Sequence, residues 1–370
     1  MKNILETIQN PVSFSIFVNE NMKTSTYQVG WTAEMDVEYE ASKSFSAITA
    51  DYAAAILGTV IDKNGERPKR DMPSIGDITG KITRMGDEWQ MDNDRLERYF
   101  LMEDRFRNSQ KNFSTVQKLA QYSALTKYLF NPYELAAIAP HRRILAQYWE
   151  GLSTGSISLT KTNNEGGLVW SAALDLQMAK NTLRATDIVW SKATLATMNV
   201  IDVLQNAEEV ATAAGKTVLK HRMSKATAAL VCQCSQLKGL IGMNLGKIQT
   251  LTSPALGVAT VNQYLAAIEL APIEVIKEVG YLADGNSFSM FADGRVVSQC
   301  APKVAVLKVS DSLELVDPHP NKVYASFNDN LVSQWRNEKG RFIAYEMYAF
   351  PVFTGRGDVF ILDVTTKAEA

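Results

Sequence analysis

The chain is poor in the residues that carry most site chemistry. It holds three cysteines, Cys232, Cys234 and Cys300, and three histidines, His141, His221 and His319. An odd cysteine count argues against a disulfide framework. Cys232-x-Cys234 is too tight for a zinc knuckle, has no second pair, and is not completed by His221 upstream. These thiols read as small buried hydrophobes. There is no excess of positive charge: the formal net charge is −2, so no global field draws the chain to nucleic acid or anionic membrane. No apolar run approaches the roughly 18–20 residues that span a bilayer, and no membrane partner is expected. Met1–Asn10 lacks the apolar core of an export signal, so the chain is expected to fold in a cytoplasm.

Catalytic motifs are missing too. "AAGKT" at 213–217 needs a glycine where Val210 stands to make a phosphate loop, and Gly215 reads instead as a helix end. Asp87, Glu88, Asp92 and Asp94 crowd around Trp89, but Arg84, Arg95 and Arg98 interleave with them and no histidine joins them. A solvated face or a docking surface fits that cluster better than acid–base chemistry. In "PHRR", His141, Arg142 and Arg143 face phosphate or a neighbouring subunit on one reading and plain solvent on the other. These residues predict no enzyme, no metal site and no cofactor.

What is present is an ordinary globular composition, 46% hydrophobic and 21% charged, in an unusual order. Residues 1–50 read as an extended arm, with "VSFSIFV" alternating like a short strand. Ala53–Gln90 reads as two extended arms: Asn64-Gly65 signals a turn, and Pro68 and Pro73 forbid helix. Its tip, "KNGERPKR", offers Lys63, Arg67, Lys69 and Arg70; its arms carry Ile56, Leu57, Val60, Ile75, Ile78 and Ile82. A two-stranded excursion of this length is barely stable alone, so it is expected to lie on another chain. Asp94 and Ser114 are expected to cap successive helices, and Asn131-Pro132 to start a third that kinks at Pro140 and closes near residue 154. After Trp190 the texture changes. An amphipathic helix follows, with Ile201, Leu204, Ala207, Val210 and Ala211 on its buried side. Ile273–Pro302 then gives short strands around Asp284-Gly285 and Asp293-Gly294 turns.

Several stretches carry a resemblance. "MPSIGDITGKITRMGDEWQMDNDRLERYFLMEDRF", "HRRILAQYWEGLSTGSISL", "DIVWSKATLATMNVIDVLQNAEEV", "TVNQYLAAIELAPIEVIKEVGYLADGNSFSMFADGRVVSQCAP" and "GRFIAYEMYAFPVFTGRGDVFILDV" together resemble the major capsid proteins of tailed bacteriophages, in the lambda-type (protein E) branch of the Hong Kong 97 fold. The likeness runs from about Ala53 to Val364 and is diffuse. It implies an α+β fold of five parts: an N-terminal arm (1–50), an E-loop (51–92), a peripheral domain (93–190, spine helix about 132–154), an axial domain (191–305) and peripheral return strands (306–370). It implies a structural subunit that self-assembles into an icosahedral head around double-stranded DNA, with an encapsulin-type nanocompartment shell as the alternative. Ile56, Leu57, Lys63, Arg67, Lys69, Arg70, Ile78, Ile82 and Arg84 then belong to an inter-subunit clasp. Asp87, Glu88, Trp89, His141, Arg142 and Arg143 are interface or docking candidates. The turns at Asp284, Gly285, Asp293 and Gly294 shape a wedge around the capsomer axis. The implied partners are copies of itself in hexamers and pentamers, portal, scaffolding and decoration proteins, and DNA on the inner face. The implied location is a virion capsid assembled in a bacterial host's cytoplasm.

Overall fold

The computed structural model describes residues 4–25, 29–50, 75–109, 114–164, 167–183, 188–244, 256–282 and 285–367. Its axis is one helix, Thr115–Thr154. Ser114 caps it in a reciprocal box with Gln117, and Gly155, at φ 69°, closes it. The sequence pattern breaks this helix at Asn131-Pro132; the structure runs straight through, with Pro132 and Pro140 inside. An internal proline removes one backbone bond and costs about 3 kcal/mol. Burial offsets that cost, since Leu129, Tyr133, Ala136, Ile144, Tyr148 and Leu152 are all fully enclosed. Pro140 has no N–H for the Ala136 carbonyl, and the buried Asn330 side chain donates to it at 3.0 Å and to the Ala137 carbonyl at 3.0 Å.

The N-terminal segment is a correction. Residues 1–50 were expected as an extended arm, but Pro11–Lys23 is a helix packed on the core. Asn10 caps it, its side-chain oxygen accepting from the Val12 and Ser13 N–H groups, and Pro11 sits where a missing N–H is harmless. Phe14, Val18 and Met22 share the buried face, and Phe14 meets Tyr133 edge-on with ring centroids 5.6 Å apart. The alternation Val12, Phe14, Ile16, Val18 mimics a strand, but Val12 and Ile16 are exposed.

The long helix lies between two sheets. The first runs Met35–Tyr39, Ala305–Ser310, Gly340–Val352, Asn330–Asn337, Val323–Phe327 in spatial order. Arg84–Met85 and Glu88–Asp92 also pair with Gly340–Val352. Only the Met35–Tyr39 edge is parallel to its neighbour in this sheet. The second sheet runs Ile273–Ile276, Lys220–Ser224, Arg295–Gln299, Val359–Lys367, Ala179–Leu183. Here the expected boundary fails. Residues 306–370 were read as returning to the first lobe, but their last strand joins the second sheet beside Arg295–Gln299. The reason is two-faced burial: Val297, Val359 and Ile361 belong to the core around the long helix, while Val296, Leu362 and Val364 belong to a second core. That second core is closed by the helices Val200–Ala213, Lys225–Gln233, Ser235–Asn244 and Val258–Ala267.

Asn330→Ala should therefore destabilise the chain by about 2 kcal/mol, since it leaves the buried Ala136 carbonyl without a donor. Pro140→Ala in that background should recover part of the loss by restoring the N–H. Urea unfolding of the parent, both single variants and the double checks this.

Candidate functional site

The base of the expected clasp is visible. Ser44–Ala50 pairs antiparallel with Ile75–Lys81, from Ser44 opposite Lys81 to Ala50 opposite Ile75. Ile56, Leu57, Lys63, Arg67, Lys69 and Arg70 lie outside the described residues. Ile78 sits opposite Ala47 in this ladder. Ile82 is a correction: it is buried in the chain's own core and cannot be a contact for a neighbour. Phe45 anchors the base by stacking on Phe350, centroids 5.9 Å apart.

The docking candidates are dispersed into the fold. Arg84 pairs with Glu346 at 2.7 Å. The Tyr345 hydroxyl donates to Asp87 at 2.6 Å, and Trp89 lies against the Tyr345 ring. Asp92 accepts from the Arg95 N–H at 2.8 Å, so it rather than Asp94 caps the helix Asn93–Ser109. Glu88 remains exposed. Asp87 and Asp92 thus have separate partners, and among the described residues no cluster could hold a metal ion. The PHRR group is not a plain solvent-facing run: Arg142 and Arg143 are half-buried and all three side chains bond within the fold. His141 is buried and accepts from the Trp31 indole N–H at 3.1 Å. Arg142 donates to the Val279 carbonyl at 2.5 Å and Arg143 to the Asn163 carbonyl at 2.7 Å.

Of the two expected wedge turns, Asp284 lies outside the described residues, and Gly285 has φ 87°. Gly294 has φ 70°, and a Cβ there would lie 2.2 Å from Thr365 Cγ2. Its N–H donates to Thr227 Oγ1 at 2.9 Å, while Ser224 Oγ donates to the Asp293 carboxylate. This turn ties the second sheet to the start of the helix Lys225–Gln233.

Sequence reasoning missed a charge cluster built around a buried arginine. Arg222, fully enclosed, lies on the sheet face that meets the long helix, opposite Glu274 and Val297. Its Nε donates to Glu274 at 2.9 Å, one terminal nitrogen to the Tyr148 hydroxyl at 3.2 Å and the other to Glu34 at 2.7 Å. The guanidinium also sits 5.0 Å over the Trp149 ring. Lys220 shares Glu274 at 2.8 Å. The signal was "KHRMS", a strand of cations and polar residues inside an apolar lobe.

One arrangement has the outline of a nucleophile. His221 lies 2.9 Å from Ser298 Oγ and 3.0 Å from Glu208. Ser298 and His221 are both fully enclosed, so no substrate reaches the hydroxyl, and the set satisfies buried polar groups. Glu208 is held below the usual carboxylate range: burial raises it, but the bonds from His221 and the Ala271 N–H outweigh that.

The exposed apolar residues fall in patches. Val116, Leu119 and Tyr122 line one side of the N-terminal part of the long helix, where Tyr122 also meets Phe106 with centroids 6.0 Å apart. Leu313, Leu315 and Val316 lie on the one-turn helix Leu313–Val316, with Val316 at 76% exposure. An open cleft of about 420 Å³ is lined by Leu96, Phe100, Leu101, Glu97, Asp104 and Arg336. Among the described residues no helix is long and apolar enough to cross a membrane.

His141 makes a pH prediction. Burial pushes its imidazole down to about 4, from 6.5. Below 6.5 the unfolded chain takes up this proton and the folded chain does not. This contribution to stability is therefore full above about 6.5 and shrinks as pH falls toward 4, by about 3 kcal/mol in all. Denaturant titrations of the parent and His141→Gln across that range should show the variant with the shallower slope.

No family model matches the sequence, and no curated protein does. Solved structures do. The chain superposes on a protein assigned as a prophage capsid protein from E. coli CFT073, with TM-score 0.54 and 11% identity, over 96% of this chain and 98% of that one. A phage-related protein from Bordetella bronchiseptica RB50 gives 0.47 and 13% identity over 96% and 98%. The capsid protein of a native GTA particle gives 0.44 and 11% over 92% of each chain. Below 0.5 the latter two add no weight. Identity this low speaks of fold alone: the chain has an α+β, Hong Kong 97-like fold like that of the prophage capsid protein, which is the fold class, though not the division into parts, that the sequence resemblance implied.

Proposed function

We propose that the chain is the major capsid subunit of a tailed bacterial virus, self-assembling through hexamers and pentamers into an icosahedral head around double-stranded DNA. The observation that carries this reading is the end-to-end likeness of fold, 96% of this chain on 98% of the prophage capsid protein. The role is structural rather than catalytic, which agrees with the dispersal of Asp87, Glu88, Asp92 and Asp94 and with the closed burial of Ser298. Portal, scaffolding and decoration proteins are further partners on this reading, and the location is the virion, assembled in the host cytoplasm.

The clasp is the E-loop read from the sequence over residues 51–92, of which 51–74 lie outside the described residues. Ile56, Leu57 and Ile78 supply apolar contact at about 25 cal/mol per Å². Lys63, Arg67, Lys69 and Arg70 meet carboxylates of a neighbour, each exposed pair contributing about 0.2–1 kcal/mol, enough to set register. The exposed residues Val116, Leu119, Leu313, Leu315 and Val316 are surface that a lattice of copies covers.

Two variants separate folding from assembly. Val116→Ser/Leu119→Ser removes side chains that are 78% and 71% exposed, so subunit stability should stay within about 0.5 kcal/mol of the parent. The yield of closed shells in sedimentation velocity should drop severalfold. Lys63→Glu/Lys69→Glu should slow assembly and make it sensitive to salt. Unchanged particle yield and kinetics in both would contradict the assignment of these surfaces.

A further inference from the structure

We infer that the Arg222 cluster sets the angle at which the second lobe is held against the long helix. The sheet's own face at that junction is otherwise apolar: Val297, Val359 and Ile361 meet the core that Tyr148, Trp149 and Leu152 share, while two further polar bonds to the long helix, Arg142 to the Val279 carbonyl at 2.5 Å and the Ala292 N–H to Ser153 Oγ at 3.1 Å, come from the segment between Ile273–Ile276 and Arg295–Gln299 rather than from the sheet. Apolar contact is non-directional, so it resists separation more than it resists sliding. The guanidinium is planar, with its donors in a rigid fork. Its three polar acceptors come from three segments: Glu274 on its own sheet, Tyr148 on the long helix, and Glu34 just before the first-sheet strand Met35–Tyr39. The Tyr148 hydroxyl also donates to Glu34 at 3.1 Å, which ties the two outside acceptors to each other. The segment carrying Glu34 is itself fixed on the long helix through Trp31 and His141.

A rotation of the lobe breaks the Glu34 and Tyr148 bonds together. Arg222 then keeps Glu274 alone, which Lys220 also holds. The cluster balances two cations, Arg222 and Lys220, with two carboxylates, Glu34 and Glu274, only at the observed angle. Buried ion pairs add little net stability over apolar residues of the same size, whereas removing one partner is costly, so the arrangement specifies geometry more than it stabilises. In a shell, lobe angle fixes the curvature between neighbouring copies; that consequence rests on the capsid reading above.

The test removes the charges as a unit. In a Cys300→Ser background, spin labels at Lys127→Cys on the long helix and Glu209→Cys on the second lobe report the angle as a distance distribution. The parent cluster should give one narrow distribution. Glu34→Gln/Arg222→Met should melt no lower than either single variant, and its distribution should be at least about twice as broad, because the directed bonds are gone while the apolar contact stays. Arg222→Lys, which keeps the charge and loses the fork, should broaden likewise. Shells from the double variant should vary in size. A narrow distribution in the double variant or in Arg222→Lys overturns the inference, and so does loss of folding in the double variant. If the parent closes no shells, the capsid reading fails, and the distance distributions still decide the role of Arg222.

Discussion

Both lobes depend on the buried half of one helix. Thr115–Thr154 presents Tyr133 and Ala136 to the first sheet and the N-terminal helix, and Tyr148, Trp149 and Leu152 to the second sheet. Gly151 permits the closest approach: a Cβ there would lie 2.7 Å from Phe353 and 3.0 Å from Leu176. Phe353 stacks flat on Tyr148 with centroids 5.6 Å apart. Because two sheets share one rod, the helix must stay continuous through two prolines. It does so only because the surrounding protein replaces what proline removes, as Asn330 does for Ala136.

Polar groups in this interior act as fasteners between segments distant in sequence. Gln334 accepts from the Tyr133 hydroxyl at 2.7 Å and from Arg341 at 2.8 Å, and donates to the Ile8 carbonyl at 2.5 Å. That one side chain joins the long helix, the first sheet and the N-terminal segment. Arg222 does the same for the second lobe, and the bond from Trp31 to His141 fixes the strap between them. Each fastener is directional where the apolar core is not.

Much of this was legible in the residues, in uneven ways. The helix Val200–Ala213 was visible because Ile201, Leu204, Ala207 and Ala211 repeat at helical spacing and are buried; Val210, assigned to the same face, is partly exposed. The Asp293-Gly294 turn was visible because only glycine tolerates its backbone without strain. The N-terminal helix was not, since a seven-residue apolar alternation satisfies both periods and only the Asn10-Pro11 cap breaks the tie. "VFILDV" shows its burial on two faces but not which sheet receives it. His141 and Arg222 were hidden for one reason: a charge-bearing side chain reads as surface unless its partner is known, and Trp31 and Glu34 are remote in sequence. The resemblance captured the fold class, which depends on many weak local signals agreeing.

On the capsid proposal, the exposed apolar patches and the basic residues Lys63, Arg67, Lys69 and Arg70 are covered by further copies. Electron microscopy of the purified protein, imaged across salt and crowding conditions, tests this most directly. The account predicts closed icosahedral shells in which Val116, Leu119 and residues 51–74 contact neighbouring copies. Particles absent under every condition, with only monomers or small oligomers on the grid, would contradict it.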